Sequence, residues 1–515
     1  MTDHQLAELH RLREEALQGG GEARVARQHA LGKWTARERI AHLLDEGSFQ
    51  EMGMFVKHQI SDFGMDKKRF AGDAVVTGFG TIGGRQVAVY AQDFTVLGGT
   101  FSEMHARKIV ALQDLALEAG VPIIGLMDSG GARIQEGIRG LAGYGAMFSR
   151  NVLSSGVIPQ ISVMMGPSAG GSVYAPALTD FVIMVKDTSY MFLTGPDVVE
   201  AVTGEKVSTN ELGGAMIHNT RSGVAHFLAE DEAAALSLVR RLLHYLPQNN
   251  SEDPPYLSAQ DPPDRRDPAL LGIVPAAEDQ AYDIKEVIQA VVDRDSFLEV
   301  QPYFARNAVV GFARLDGHVV GIVANQPAHL AGVLDIDASD KIAHFIRVCD
   351  AFNIPLVTLV DTPGFMPGVN QEHGGVIRHG AKIIYAYVEA TVPKVSVILR
   401  KAMGGAYIAM SSREMRSDLA LAWPSAEIAV MGAEGAVRIL HRRDLEQAED
   451  RSRLEAEFAE KYRRAFFNPY VAAELGYVDD VIDPRETRPR LIAALAFLRT
   501  KVQQNPPKKH GLMPV

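Results

Sequence analysis

The sequence predicts a layered α/β chain made of two copies of one domain, and three observations carry that prediction. Short apolar, strand-like runs alternate with helical segments along most of the chain, as in sheets flanked by helices. Landmarks recur at a nearly constant offset: Lys108 and Lys341, Pro122 and Pro355, and Asp128-Ser-Gly-Gly131 and Asp361-Thr-Pro-Gly364 lie 233 positions apart, and Gly170 and Gly404 lie 234 apart. A segment from Pro247 to Pro268, with six prolines among Asn, Ser and Asp, separates the two sets. Repeats of about 20–50 residues would signal a solenoid, whereas a period near 230 has the size of one domain.

Taken in order, residues 1–45 read as polar helix, with Leu6, Leu9, Leu12 and Leu17 spaced for one face; such arms are packing or oligomer contacts. Strands are expected at Val87–Gln92, Pro122–Met127, Pro159–Met165, Phe181–Val185 and Tyr190–Leu193. Between the first two, a helix from Ser102 to Glu118 directs Ile109, Leu112 and Leu115–Ala116 inward, and Gly120 ends it in a left-handed cap. The proline-rich segment suits neither helix nor inner strand, so it reads as a linker between domains placed at 1–258 and 259–515. The second half repeats the pattern with strand Val319–Asn325, a helix over Ser339–Phe352, strand Pro355–Val360 and strand Lys394–Leu399. Asp444 to Lys461 reads as a solvated amphipathic helix. Periodicity alone leaves two architectures open, a doubly wound sheet and a spiral of ββα units.

Composition narrows the function. With 515 residues and 47% hydrophobic content the chain can bury sizeable cores. No apolar run approaches the roughly 18 residues of a membrane helix, and the opening residues lack a basic stretch ahead of an apolar core, so no secretory signal is expected. The single cysteine, Cys349, excludes an intramolecular disulfide and a multi-cysteine zinc site, and its helical stripe predicts a buried thiol. A net charge of −11 argues against nucleic-acid binding. A cytoplasmic protein without nucleic-acid or membrane partners is expected.

Two glycine-rich segments carry the chemistry: Gly166-Pro-Ser-Ala-Gly-Gly171 and Arg400-Lys-Ala-Met-Gly-Gly405. Each follows an apolar strand and opens a small-residue stretch, Ser172–Leu178 or Ala406–Met410, fit to begin a helix. A Gly-Gly turn at a helix start leaves backbone N–H groups free for an anion, and two such turns suit a site that stabilises two developing oxyanions. The bland reading of either pair is close helix–sheet packing; its presence in both halves favours the oxyanion role. Gly166-x-Ser168-x-Gly170 also matches a hydrolase nucleophile elbow, but the repeat places Ala402 opposite Ser168, so the serine is not what duplication kept. Asp361-Thr-Pro-Gly364 stands without any phosphate-binding Gly-x4-Gly-Lys loop, and no zincin histidine pair exists. Asp128 to Glu136 reads either as a tight turn with Arg133 and Glu136 at helical spacing or as a site wall in which Arg133 contacts a phosphate.

These segments, with Thr35-Ala-Arg-Glu-Arg-Ile40, Asp93–Gly99, Met191–Asp197, Ser222–His226, Arg378–Lys382 and Trp423–Gly432, resemble the carboxyltransferase (β) subunit of biotin-dependent acyl-CoA carboxylases, propionyl-CoA carboxylase type, along nearly the whole chain. The resemblance implies two tandem crotonase-like domains of ββα spirals, an N-terminal and a C-terminal carboxyltransferase domain. It implies an active site where the first domain of one subunit meets the second domain of another, in a homo-oligomer expected to be a hexamer. The implied reaction transfers a carboxyl group from carboxybiotin, on a separate carrier, to the α-carbon of propionyl-CoA or acetyl-CoA. The biotin ureido nitrogen takes the α-proton, and oxyanions arise on thioester and ureido ring. By position Gly170 and Gly171 would serve one, Gly405 and Ala406 the other. Tyr407 and Ile408 would shape the acyl pocket, and the phosphate contact read above for Arg133 would then be to CoA. No side-chain base and no metal are required. The implied partner is a biotinylated α subunit with biotin carboxylase and carrier, because this chain has neither an Ala-Met-Lys-Met site nor an ATP-binding module. One departure stands out: Ile408 occupies a position where propionyl-type relatives commonly carry aspartate, which opens the acyl preference. The same motifs would also serve a decarboxylase running the transfer in reverse, and a non-catalytic carboxylase scaffold is the reading from another class.

Overall fold

The computed structural model describes residues 2–277 and 280–515. They form two compact units, one ending at Glu252 and the other running from Asp253 to Val515, divided within the proline-rich segment.

The first unit holds nine strands: β1 (Gln50–Met52), β2 (Val75–Ile82), β3 (Arg85–Gln92), β4 (Ile123–Met127), β5 (Gln160–Met164), β6 (Pro167–Ala169), β7 (Phe181–Val185), β8 (Tyr190–Phe192) and β9 (Phe227–Ala229). Seven of them lie side by side in the order β1-β2-β3-β4-β5-β7-β9, and β6 pairs with β8. The steps β1–β2–β3 are antiparallel and every later one is parallel. Spatial order therefore follows chain order without reversing, which removes the doubly wound alternative and leaves the ββα spiral. β4, β5 and β7 are buried at every position, as parallel strands covered on both faces require.

The helix Glu103–Ala119 returns the chain from β3 to β4. The Ser102 hydroxyl caps its start by accepting the His105 N–H, and Gly120 closes it at φ 65°. Ile109, Leu112 and Ala116 are buried as the spacing predicts, but Leu115 is 39% exposed because it lies off that stripe. The N-terminal arm is three helices, Asp3–Leu17, Glu22–Ala30 and Ala36–Leu43; the first and third begin with capping boxes, Thr2 with Gln5 and Thr35 with Glu38.

In the second unit the strands are β10 (Leu298–Val300), β11 (Ala308–Leu315), β12 (His318–Asn325), β13 (Leu356–Thr362), β14 (Lys394–Met403), β15 (Leu419–Ala422), β16 (Glu427–Ala429) and β17 (Asp480–Val481). Their order is β10-β11-β12-β13-β14-β15-β17, with β16 paired to β14. The helix Ile336–Ala351 joins β12 to β13 and buries Ile342, Phe345, Ile346 and Cys349.

The repeated landmarks turn out to be structural devices. Lys108 and Lys341 each bury an ammonium against carbonyls, Gly72 and Val75 in the first unit, Gln301, Phe304 and Ala308 in the second. The Asp45 carboxylate accepts from the Gly83 and Gly84 N–H groups at the β2–β3 turn; Asp293 does the same for Asp316 and Gly317 at the β11–β12 turn.

Two more expectations change. β14 does not stop at Leu399 but continues to Met403, because β16 takes over as its neighbour. The charged run Asp444–Lys461 is not one helix: Arg442–Gln447 ends before Asp450 caps a second helix, Arg451–Phe466. Among the described residues no helix is long and apolar enough to cross a membrane.

Candidate active site

Each unit places its glycine pair at the C-terminal end of a central parallel strand. In the first, β5 gives way to β6 and then to a 3₁₀ turn, Gly170–Val173, that runs into the short helix Tyr174–Ala177. Gly170 has φ +66°, a left-handed value that a side chain would strain. Gly171 sits over the Tyr144 ring, where a Cβ would lie 3.7 Å from the ring edge, and Tyr144 stacks on Phe101 at 3.9 Å. In the second unit β14 runs directly into the helix Gly404–Ala409. Gly404 has φ +57°, and a Cβ at Gly405 would lie 3.8 Å from the Phe365 ring. Both units thus use one design, a left-handed glycine followed by a glycine over an aromatic ring. As the first residues of their turns, Gly170–Gly171 and Gly404–Ala406 hold N–H groups with no acceptor inside the turn.

Behind each turn lies a buried carboxylate at the end of the neighbouring strand. Asp128 follows β4; its carboxylate binds the Lys33 ammonium at 2.7 Å, the Arg39 guanidinium at 2.9 Å and the Gln28 amide at 3.1 Å. Arg39 also binds Glu232, joining the arm to the helix Glu232–Leu243. Asp361, in β13, accepts from Arg400 Nε at 3.1 Å, the Tyr282 hydroxyl at 2.8 Å and the Lys401 N–H at 3.1 Å. Burial pushes the Asp361 carboxyl up, while Arg400 and these donors pull it down; burial likewise lowers the Lys33 ammonium against the attraction of Asp128.

The remaining candidates separate. Tyr407 lines a small cleft with Val360, Ser396 and Ile398, where burial pushes its phenol up to about 12. Ile408, the next residue, faces outward at 45% exposure. Arg133 is held by neighbouring acceptors. It is 2% exposed, and its guanidinium is occupied by Asp73 at 2.6 Å, Glu136 at 3.2 Å and the Thr100 carbonyl at 3.0 Å. It fastens the Asp128–Glu136 loop, with Nε donating to the Thr100 hydroxyl as well, and its charge is met by two carboxylates. Ser168 is buried and its hydroxyl meets the Ser172 hydroxyl at 2.7 Å, which is not the exposed serine of a nucleophile elbow. Among the described residues no cluster of His, Cys, Asp or Glu is arranged to hold a metal ion.

A cavity of about 490 Å³ in the second unit, lined among others by His318, Pro355, Pro393, Leu495 and Arg499, lies at the opposite end of β14 from Gly404. Ten residues of strand at about 3.3 Å each put it roughly 30 Å from the glycine turn, so it is no part of this site.

Comparison with known proteins decides what these turns belong to. The carboxyl transferase domain model matches residues 27–513. The chain belongs to the carboxyl transferase family. The carboxyltransferase subunit of propionyl-CoA carboxylase from Haloferax mediterranei is 56% identical over 100% of this chain and 99% of its own length. The methylmalonyl-CoA decarboxylase subunit alpha from Veillonella parvula is 55% identical over 98% of each chain. A crystal structure of transcarboxylase 12S, a hexamer with methylmalonyl-CoA and methylmalonic acid bound, superposes with a TM-score of 0.97 at 52% identity, over 100% of this chain and 99% of that one. This membership bears out the resemblance read from the sequence, the tandem crotonase-like fold and the enzyme class, a biotin-dependent carboxyltransferase.

Sequence reasoning marks Asp128 and Asp361 only through their shared offset of 233. The offset flags a turn, and nothing in it says which atoms the turn holds. Lys33 gives no signal, and Arg39 only as part of the motif Thr35–Ile40, because the arm reads as polar helix and its cations meet Asp128 only in the folded chain.

Proposed function

We propose that this chain is the carboxyltransferase subunit of an acyl-CoA carboxylase that carboxylates propionyl-CoA, acetyl-CoA or both at the α-carbon. The observation that carries the reading is the paired turn: the same left-handed glycine, second glycine and free N–H groups recur at equivalent places in both units. Carboxybiotin, carried on a partner protein, supplies the carboxyl group and the base. The residues present fit that chemistry: glycine at 171 and 405 leaves the amides approachable, and no side-chain base is needed at either turn. The Gly170 and Gly171 N–H groups serve one oxyanion and those of Gly405 and Ala406 serve the other, one pair on the thioester and one on the ureido oxygen. Aligned donors of this kind are each worth about 3–4 kcal/mol of barrier. Ile408 and Tyr407 flank the second turn and adjust the acyl pocket, with Ile408 favouring an apolar chain. The partner is a biotinylated α subunit with biotin carboxylase and carrier, the assembly is a hexamer like that of transcarboxylase 12S, and the location is the cytoplasm.

The test is the reverse transfer, with methylmalonyl-CoA and malonyl-CoA each offered to the purified chain with free biotin. Biotin-dependent loss of CO2 is expected, and the faster substrate reports the acyl preference. No turnover despite CoA binding would point to longer or branched substrates; absence of CoA binding as well would leave a scaffold. A second reading, the decarboxylase subunit, is favoured by the 55% identity to the Veillonella protein. Co-purification decides between them: a subunit with biotin carboxylase supports the carboxylase, membrane-bound partners the decarboxylase.

A further inference from the structure

The strand that carries the second glycine turn does not run straight into it. β14 pairs with β15 as far as Ile398 opposite Ala422, then with β16 from Lys401 opposite Glu427. Its register against β13 slips at the same point: Val360 faces Ile398 while Thr362 faces Ala402, so two residues of β13 span four of β14. Steps of this kind bend a strand and re-aim the backbone beyond them. Asp361 is the residue inside the step, and its carboxylate holds two of the three residues of the slipped segment, Arg400 through Nε and Lys401 through its N–H. Gly404 begins the turn three residues later.

The first unit makes the same step with a break. β5 ends at Met164 beside β7, and β6 begins at Pro167 beside β8. The Met165 N–H donates to the Met127 carbonyl and the Ser129 N–H to the Pro167 carbonyl, on either side of Asp128. Gly166, within the break, lies so close to Asp128 that a Cβ would stand 1.9 Å from Oδ1.

We propose that Asp361 and Asp128 are positioning residues, each carboxylate fixing the strand step from which one glycine turn springs. This inference rests on the transferase reading above. Neither carboxylate touches a substrate, since Asp361 is 1% exposed and Asp128 fully buried. Both act through the backbone that aims the amides. A carboxamide in place of either keeps the volume but turns one acceptor into a donor facing other donors. The step then relaxes, and a turn misplaced by about 1 Å loses on the order of 10²-fold in rate.

The experiment compares Asp361→Asn with Asp418→Asn in the full chain, using methylmalonyl-CoA with free biotin. Asp418 accepts the Lys394 N–H at 2.8 Å at the far end of β14, so its loss weakens the strand without touching the turn. Asp361→Asn is expected to lower kcat by at least about tenfold with KM for methylmalonyl-CoA held within about twofold. Asp418→Asn is expected to lower the melting temperature with kcat unchanged. A folded Asp361→Asn chain with parental kcat, or with only KM raised, overturns the proposal. Should Asp361→Asn not fold, Tyr282→Phe removes one hydrogen bond from the same carboxylate; a several-fold fall in kcat at constant KM supports the proposal, and an unchanged kcat overturns it. If the parent itself transfers no carboxyl group, the transferase reading falls, and this inference with it.

Discussion

The two units meet one electrostatic problem in different ways. Each buries a carboxylate behind its glycine turn, and each must bring a cation to it, because a lone buried charge is far too costly. In the second unit the cation comes from the strand itself: Arg400 stands in the step and reaches Asp361 directly. In the first, the equivalent position is Gly166, with no side chain and no room for one. The charge arrives instead from the N-terminal arm, as Lys33 and Arg39. Even the flanking acceptors match, since Gln92 Oε1 takes the Asp128 N–H and Asn325 Oδ1 takes the Asp361 N–H. Duplication has kept the backbone device and let the counter-charge move. A buried charge constrains what must be near it and leaves open which segment provides it.

The most severe test of this contrast is to remove the counter-charges. Arg400→Met leaves Asp361 with neutral donors only, and a loss of about 3–5 kcal/mol in unfolding free energy is expected from denaturant titration. Lys33→Met leaves Arg39 in place, so about 1.5–3 kcal/mol is expected there; equal losses in the two variants would refute the idea that the first carboxylate is doubly served. The turns themselves should be equivalent. Gly170→Val and Gly404→Val each force a side chain into a left-handed conformation, and each is expected to lower kcat by about 10²–10³-fold in the biotin-dependent decarboxylation assay. A variant that loses nothing would assign its turn to packing alone.

A weaker asymmetry concerns pH. Asp180 accepts the Gln160 N–H at the start of β5, and burial pushes its carboxyl up to about 7. Its counterpart Asp418, at the start of β14, binds the Lys501 ammonium at 2.8 Å. An unfolded aspartate titrates near about 4, so from there to about pH 7 the native chain holds a proton that the unfolded chain releases. Stability therefore declines as pH rises through that window. In Asp180→Asn that decline should vanish, so its melting temperature gains on the parent between about pH 4 and pH 7; a constant gap between the two would contradict the shift. The smallest effect is expected at Ile408. It is 45% exposed, and its equivalent in the first unit, Tyr174, is 50% exposed. Ile408→Asp should shift the ratio of methylmalonyl-CoA to malonyl-CoA turnover by about tenfold, the scale of one pocket contact.

Much of this organisation is legible in the residues. Parallel strands such as Ile123–Met127 are continuous apolar runs because helices cover both faces, and that signal needs no tertiary knowledge. β2 and β11 escape a reading by pattern, since Gly78, Gly80 and Gly311 interrupt their apolar runs; all three are close-approach positions, where a Cβ would strike neighbouring atoms. The glycine pairs are legible as turns because their conformation is local. Arg133 misleads for the opposite reason: an arginine in a glycine-rich loop has the chemistry of a phosphate contact, and only its burial against Asp73 and Glu136 shows that its charge is taken.

The origin of the counter-charges also sets the order in which each carboxylate and its cations are synthesised. In the first half the cations are made before the carboxylate: Lys33 precedes Asp128 by 95 residues and Arg39 by 89. When Asp128 is made, both of its cationic partners are already in the nascent chain. Asp361 emerges 39 residues ahead of Arg400. At about 5–20 residues per second the second half spends several seconds with a carboxylate that has nowhere dry to go. Through that interval Asp361 has no guanidinium to meet it.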